Sequence, residues 1–493
     1  LDFFVGNGTR FVLDANSRVS LSNNDSGGTG GQDSTSSNTT LGYKAGNAIA
    51  SGTINNTFIG HNAGLSANDA VANVLIGTNT ADALTTGDHN VAIGYFALSA
   101  STDVDSVVAI GSGAMESGNV TSAADGGIAI GRNSLLALTS GAGNTAVGMS
   151  SLMSGTGFST NTALGFGSGK YLGGNGSANA SSLNTCIGAY SMGGGNQTTP
   201  SDNTANQNTA IGHGVLGGGT GSSTNITAIK NVGVGYAVMN TVTTAQSNSI
   251  LGYTAGIAIT SGNENVAVGS RALGTADTAT FNVAVGGDAM FGVPTGQAVT
   301  GVVAVGLEAC KGDSNTTNAI NHTVAVGRSA LKLLRTGGNC TAVGYQALED
   351  NLSGYNNTAL GYQALANATG GGNSSVGSQA GDLIIAGTNN TLLGSASEVS
   401  ANNAVNQAVI GQGATGQADN SVTLGNADVT AVYMAQDATS DNSTNTEGAT
   451  VYAKGLHLKQ LSAHDSGGMD TPLILHSHFS DSPLGGQGTG LLI

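Results

Sequence analysis

Asn265-Val266-Ala267-Val268-Gly269 returns 17 residues later as Asn282-Val283-Ala284-Val285-Gly286. Asn144-Thr145-Ala146-Val147-Gly148 and Asn161-Thr162-Ala163-Leu164-Gly165 write the same five letters with Thr in the second place. Followed outward, Ile, Val or Leu precedes glycine 22 times in this setting between Leu41 and Gly425, and 12 of the 21 intervals are 17 residues long. A fixed period filled by one short motif means stacked supersecondary units rather than a globule.

Each unit is numbered from its glycine as position 0. Position −3 is Thr nine times and Val nine times, −2 is Ala twelve times, and −4 is Asn fifteen times. Residues −3 and −1 are two apart and mostly β-branched, which places them on one face of a short strand. They are expected to form the half-buried core, with Ala at −2 turned to a seam with another chain or layer. Asn at −4 suits the bend entering the strand, and stacked asparagines form an amide ladder. Glycine at 0 gives positive φ or close backbone approach. Ala-Leu and Ala-Met pairs at +3 and +4, as in Ala97-Leu98 and Ala289-Met290, predict a second strand. Two strands and two turns per unit make one coil of a parallel β-solenoid, or β-roll. At about 4.8 Å per rung, 22 coils reach on the order of 100 Å.

The 493 residues include 80 glycines, four prolines and no tryptophan, and charged residues are 9%. Glycine this frequent excludes long helices, and no Gly-X-Y period points to collagen. Periodic apolar residues argue against disorder. A net charge of −16 with 13 Lys and Arg argues against nucleic-acid binding. No apolar run is long enough for a membrane-spanning helix, so no membrane insertion is expected. No secretory signal is read, and a start at Leu1 is what a piece of a longer or processed polypeptide gives. Cys186, Cys310 and Cys340 lack Cys-x-x-Cys spacing and read as small buried hydrophobes.

The repeat resembles the head of trimeric autotransporter adhesins, with units close to Asn-Ser-Val-Ala-Ile-Gly. Asn420-Ser421-Val422-Thr423-Leu424-Gly425 is a near match. The unit here is longer, so the loops differ. The flanks are similar to bacteriophage tail-fibre proteins. Gly8-Thr9-Arg10-Phe11-Val12-Leu13-Asp14 looks like the β segment preceding such repeats, and Thr423 to Thr430 like the exit toward an autocleaved chaperone. These resemblances imply an all-β, elongated parallel β-solenoid of about 22 coils, intertwined as a parallel homotrimer. They imply a virion tail fibre, with other tail proteins and a host glycan or protein receptor as partners. A bacterial surface adhesin or extracellular filament is the alternative, and a capsule-depolymerising tailspike a third reading. Three parts are expected: an N-terminal β segment (1–37), the repeat shaft (38–426), and a C-terminal β domain (427–493). The last is expected to carry strands at Val429–Met434, Thr450–Leu461 and Thr471–His476.

Candidate contact residues follow from irregularities. Intervals of 23, 24 and 23 residues between Gly165 and Gly235 insert loops into three neighbouring coils. Tyr171, Asn196 and Thr220 in these loops are candidate receptor contacts. Tyrosine also follows the glycine at Tyr43, Tyr95, Tyr236, Tyr253, Tyr345 and Tyr362, and the last pair is expected to stack as a sugar platform or as ladder packing. His476 and His478 sit two apart. On one strand they face the same way, and three chains would supply six nitrogens to Fe or another transition metal on the axis, as the fibre resemblance implies. Catalysis finds no foothold. His464-Asp465-Ser466 are mere sequence neighbours, and carboxylates are sparse where a glycan-cleaving groove needs a pair. A calcium nonapeptide does not fit, since Asp and Gly do not fall into Gly-Gly-x-Gly-x-Asp, and an ice-binding threonine array does not fit, since Thr and Val alternate freely at −3.

Overall fold

The computed structural model describes residues 2–5, 8–13, 19–20, 37–50, 52–116, 120–173, 181–193, 204–217, 226–293, 296, 298–312 and 320–429. It divides into two units, Leu1–Val429 and Thr430–Ile493. The second unit lies outside the described residues, and with it the three C-terminal strands expected from the sequence, save Val429, which closes the first unit.

Three short strands, β1 (Asp2–Val5), β2 (Gly8–Leu13) and β3 (Val19–Ser20), pair antiparallel in chain order. From β4 (Thr39–Leu41) to β25 (Val422–Leu424), 22 strands pair parallel, each with the next in sequence. The register sets like upon like: Thr145, Ala146 and Val147 face Thr162, Ala163 and Leu164. This is the expected parallel β-solenoid.

The coil of Gly286 shows why the chain winds. Left-handed backbone occurs at Phe281, Asp288 and Met290, with φ of 59, 56 and 53°. Equivalent positions −5, +2 and +4 repeat this down the stack. Each costs a non-glycine residue about 1–2 kcal/mol. At +4 the residue is usually Leu or Met and fully buried, as are Leu98, Met115, Leu273 and Met290. Burying such a side chain contributes about 1.5–3 kcal/mol, so burial wins over backbone preference. Positions +3 and +4 are therefore turns, not the second strand expected from the sequence. Each coil has one strand, three residues long except in the coils of Gly235 and Gly252, where it has five, and isolated bridges lie mostly at −6 in some coils.

Six columns fill the interior. In this coil they are Ala279, Asn282, Ala284, Ala289, Met290 and Val293, none more than 2% exposed. The Ala at −2 thus points inward, and the branched residues at −3 and −1 point out, reversing the expected orientation. The reason is volume. The coil is thin, and the +4 side chain already occupies the space opposite the strand. Where −2 is Phe58, Leu75 or Ile250, +4 is the small Gly64, Ala81 or Gly256. Phe58 lies between Gly46 and Gly64, whose added Cβ atoms would fall 2.9 and 3.0 Å from its ring. Where −2 is Gly233, the larger Val215 and Val238 fill the gap.

Glycine at position 0 satisfies two constraints at once. The φ of Gly269 is 136°, and an added Cβ would lie 2.5 Å from the carbonyl oxygen of Gly286, one coil on. The same contact, at 2.6 Å or less, recurs at Gly42, Gly94, Gly344 and Gly394. No L-residue side chain fits in that column.

Asparagine at −4 forms the expected ladder. Asn231 Oδ1 accepts from the backbone N–H and the Nδ2 of Asn248, at 3.0 and 2.9 Å. Asn248 Nδ2 also donates to the carbonyl of Gly262 at 2.8 Å. Runs of this pattern link Asn38 to Asn90, Asn144 to Asn282 and Asn357 to Asn390. A buried amide is tolerable only because each donor finds an acceptor.

Candidate interaction face

Turning −3 and −1 outward leaves an apolar face on the solenoid. Among the described residues, 30 large apolar side chains are exposed, and 22 of them lie at −3, −1 or +1. They include Leu41, Ile130, Leu164, Leu251, Val268, Leu360, Leu393 and Ile410. Scattered exposed apolar residues are ordinary, but a contiguous patch marks a contact surface. Position +1 joins this face where the strands are longest. In β14 (Val232–Tyr236) and β15 (Ser249–Tyr253), Tyr236 pairs directly with Tyr253 beyond the glycines.

Aromatic rings collect at +1 and +2. Tyr345 and Tyr362 stack with centroids 5.6 Å apart and planes 8° from parallel, as the sequence led us to expect. The Arg328 guanidinium lies 5.8 Å from the Tyr345 ring. A longer column runs Phe166, Tyr190, His213, Tyr236, Tyr253. Tyr43 stacks on His61 at 5.4 Å.

Tyr171 stands apart from these columns at +6, half-buried, with Lys170 Nζ 4.8 Å from its ring centre. Asn196, Thr220, His476 and His478 lie outside the described residues. Sequence reasoning picked out Tyr236 and Tyr253 but missed Phe166, Tyr190 and His213. Counting every ring at +1, rather than tyrosine alone, finds Phe166 and His213. Tyr190 is at +2, where no such count finds it.

Charged side chains form a separate ladder at +2 and +5. Arg271 donates to Asp288 through Nε at 2.7 Å and Nη2 at 2.6 Å. Glu308 meets Lys311 at 2.8 Å and Lys332 at 3.0 Å. Hydrogen bonds from these two lysines hold the Glu308 carboxyl down at about 2. The three cysteines are free and buried, and burial pushes Cys186 and Cys310 up to about 12. Such thiols are inert hydrophobes, as expected. Among the described residues, no group of three or more His, Cys, Asp or Glu is placed to hold a metal ion. No helix there is long and apolar enough to cross a membrane. No family model matches the chain, and no curated protein is similar to it in sequence.

Proposed function

We propose that the chain is a structural, non-catalytic fibre shaft in which three parallel copies share an axis. Their −3 and −1 columns, rather than the alanines at −2, form the seam. The observation that carries this reading is the outward −1 column, Ile, Val or Leu in all 22 coils, flanked at −3 by Val, Thr and a few other residues. A partner for it must present apolar side chains at the same rung spacing over the same number of rungs, and a second copy of this chain does so. Identical copies related by rotation about one axis bring the same face together and close without leaving a sticky edge. Removing apolar area from water contributes about 25 cal/mol per Å², summed over every rung. The number three rests on the resemblance to trimeric heads and phage fibres.

On this reading the shaft is a spacer in a virus tail fibre, joined to other tail proteins and carrying an attachment element toward a host glycan or protein receptor. Sedimentation equilibrium tests the assembly. The expected mass is three times that of the 48.0 kDa chain. A single-chain mass refutes the seam. Electron microscopy of native particles tests the setting, since filaments on bacterial envelopes without virions would favour the adhesin reading instead.

A further inference from the structure

We infer that the −3 column of one copy pairs with the +1 column of the next, rung for rung, so that the order of side chains along the shaft sets the direction and register of assembly. The partner is a second copy of this chain. The inference rests on the proposed seam and deepens it, by naming which columns meet across it.

The three outward columns lie side by side, with −1 in the middle. In β14, Val232 and Tyr236 stand on one face of one strand, four residues and so about 13 Å apart. Within the sheet each column pairs with itself, Val232 with Ser249 and Tyr236 with Tyr253. The −3 and +1 residues of one coil are therefore out of each other's reach, yet their identities are linked. Nine coils have an aromatic ring at +1, and in seven of them −3 is Thr or Ser. Ten coils have Val or Ile at −3, and only two of those, with Tyr95 and Tyr236, have a ring at +1. The apolar strip thus widens toward −3 in some coils and toward +1 in others. A trade between columns that do not touch within one chain is what contact through a second copy produces.

Symmetry says which columns meet. Copies turned about an axis along the shaft bring the −3 side of one against the +1 side of the next at equal height, whereas copies laid end over end bring −3 against −3. In the first arrangement Thr358 of one copy meets Tyr362 of the next, and each hydroxyl can donate and accept. A hydroxyl removed from water needs such a partner. Val283 meets Gly287 and Val266 meets Ser270, so a branched side chain finds room. Ile128 and Val324 meet Arg132 and Arg328, whose stems cover apolar surface while the charge reaches water.

The order of −3 also works against the reverse direction. It runs in blocks, with four Val or Ile from Val74 to Ile128, four Thr from Thr145 to Thr209, four Val from Val266 to Val324, and four Thr or Ser from Thr341 to Thr391. Laid end over end in full overlap, the first block would meet the last and the second would meet the third. All eight rungs would then set a hydroxyl against hydrocarbon, which leaves it unpaired and disfavours that partner orientation.

The test uses cysteine pairs in the full chain, oxidised after assembly and run on denaturing gels without reductant. A disulfide joins Cα atoms about 4.4–6.8 Å apart, so Val266→Cys/Ser270→Cys cannot close within one chain. The native Cys186, Cys310 and Cys340 are buried. Val266→Cys/Ser270→Cys is expected to give a covalently closed trimer. Each single variant should run as one chain. So should Val266→Cys/Leu307→Cys, two coils out of register, and Thr209→Cys/Val266→Cys, which an end-over-end pair would join. Ser374→Cys/Ser378→Cys repeats the test with near-isosteric replacements, in case the first pair disturbs assembly. Sedimentation mass is measured for every variant before oxidation. A trimer mass with neither same-coil pair cross-linked, or with the Leu307 or Thr209 pair joined as efficiently, overturns the pairing and leaves assembly through this face standing. A single-chain mass for the wild type sinks the seam itself, and the pairing with it.

Discussion

Asn248 Oδ1 accepts two hydrogen bonds from Asn265, one coil on, from the backbone N–H and from Nδ2, each at 2.9 Å. One buried amide thus fixes both the backbone and the side chain of the next. The ladder skips Val107, Gly127, Val302, Thr323 and Cys340, and at the first of these the Val107 N–H still bonds to Asn90 Oδ1 at 3.0 Å. An interruption is therefore tolerated when the asparagine before it keeps one acceptor occupied.

We predict that Asn248→Leu, in the middle of an unbroken run, destabilises its neighbourhood by about 2–4 kcal/mol, because two donors of Asn265 and the carbonyl of Gly262 lose their partner. Long repeat arrays need not unfold in one step, so the readout is local. Amide hydrogen exchange at Asn265 should accelerate markedly while exchange around Asn357 stays as before. Uniform protection in the variant would show that the amide column contributes little.

Gly269→Ala is expected to cost at least about 2 kcal/mol, since its φ of 136° belongs to glycine and its Cβ would strike the Gly286 carbonyl. Gly126→Ala is the control. Its φ of 74° also strains an L-residue, but nothing lies within 4 Å of an added Cβ. Thermal melts of the two should differ, with Gly269→Ala the lower.

The exchange of volume between −2 and +4 predicts a rescue. Ala267→Phe should overpack the coil by about 1–3 kcal/mol. Adding Leu273→Gly reproduces the surroundings of Phe58, because the preceding coil already supplies Gly256 at the other side. The double variant should melt above Ala267→Phe alone. Simple additivity of the two losses would contradict the packing.

Neighbouring residues on one strand should respond oppositely to charge. Ala267→Asp buries a carboxylate in a fully enclosed column and is expected to unfold its coil. Val268→Asp, 36% exposed, should leave the coil folded by circular dichroism while lowering the sedimentation mass, if copies meet on that face. A wild-type mass with normal stability for Val268→Asp would argue against the seam.

Acid response follows from Glu308. Its folded pKa of about 2 lies below the ordinary glutamate value of 4.5, because Lys311 and Lys332 hydrogen-bond to the charged form. The contribution is fully present above pH 4.5 and is lost as pH falls toward 2. The pair is surface-accessible and screened, so the loss stays within about 1 kcal/mol. Glu308→Gln should flatten the acid dependence of local stability between those limits, and high salt should do the same to the wild type.

Much of the fold is legible in the letters. The 22 glycines give the coils, Asn at −4 gives the ladder, and residues −3 to −1 give the strand. The direction in which the strand faces is not legible from alternation alone, because Val266 and Val268 suit either a core or an apolar outer face. Only the bulk at +4 decides it, and that requires knowing that Leu273 lies across from Ala267. Leu and Met at +4 also mislead. Their backbone preference argues against a left-handed turn, and burial overrides it. The interaction face is half legible, since tyrosine at +1 is periodic while Tyr190 joins the ring column from +2.

Because every residue stacks on its own counterpart, one joint between coils is chemically much like the next. Excising residues 270–286 would join Gly269 to Gly287, and the rung after the cut would still find glycine, alanine and an apolar branch in place. Reach can therefore change by whole rungs, through unequal recombination, without redesign of any contact. A gain or loss of three or four residues within a strand has no such freedom, as it would throw every column beyond it out of line.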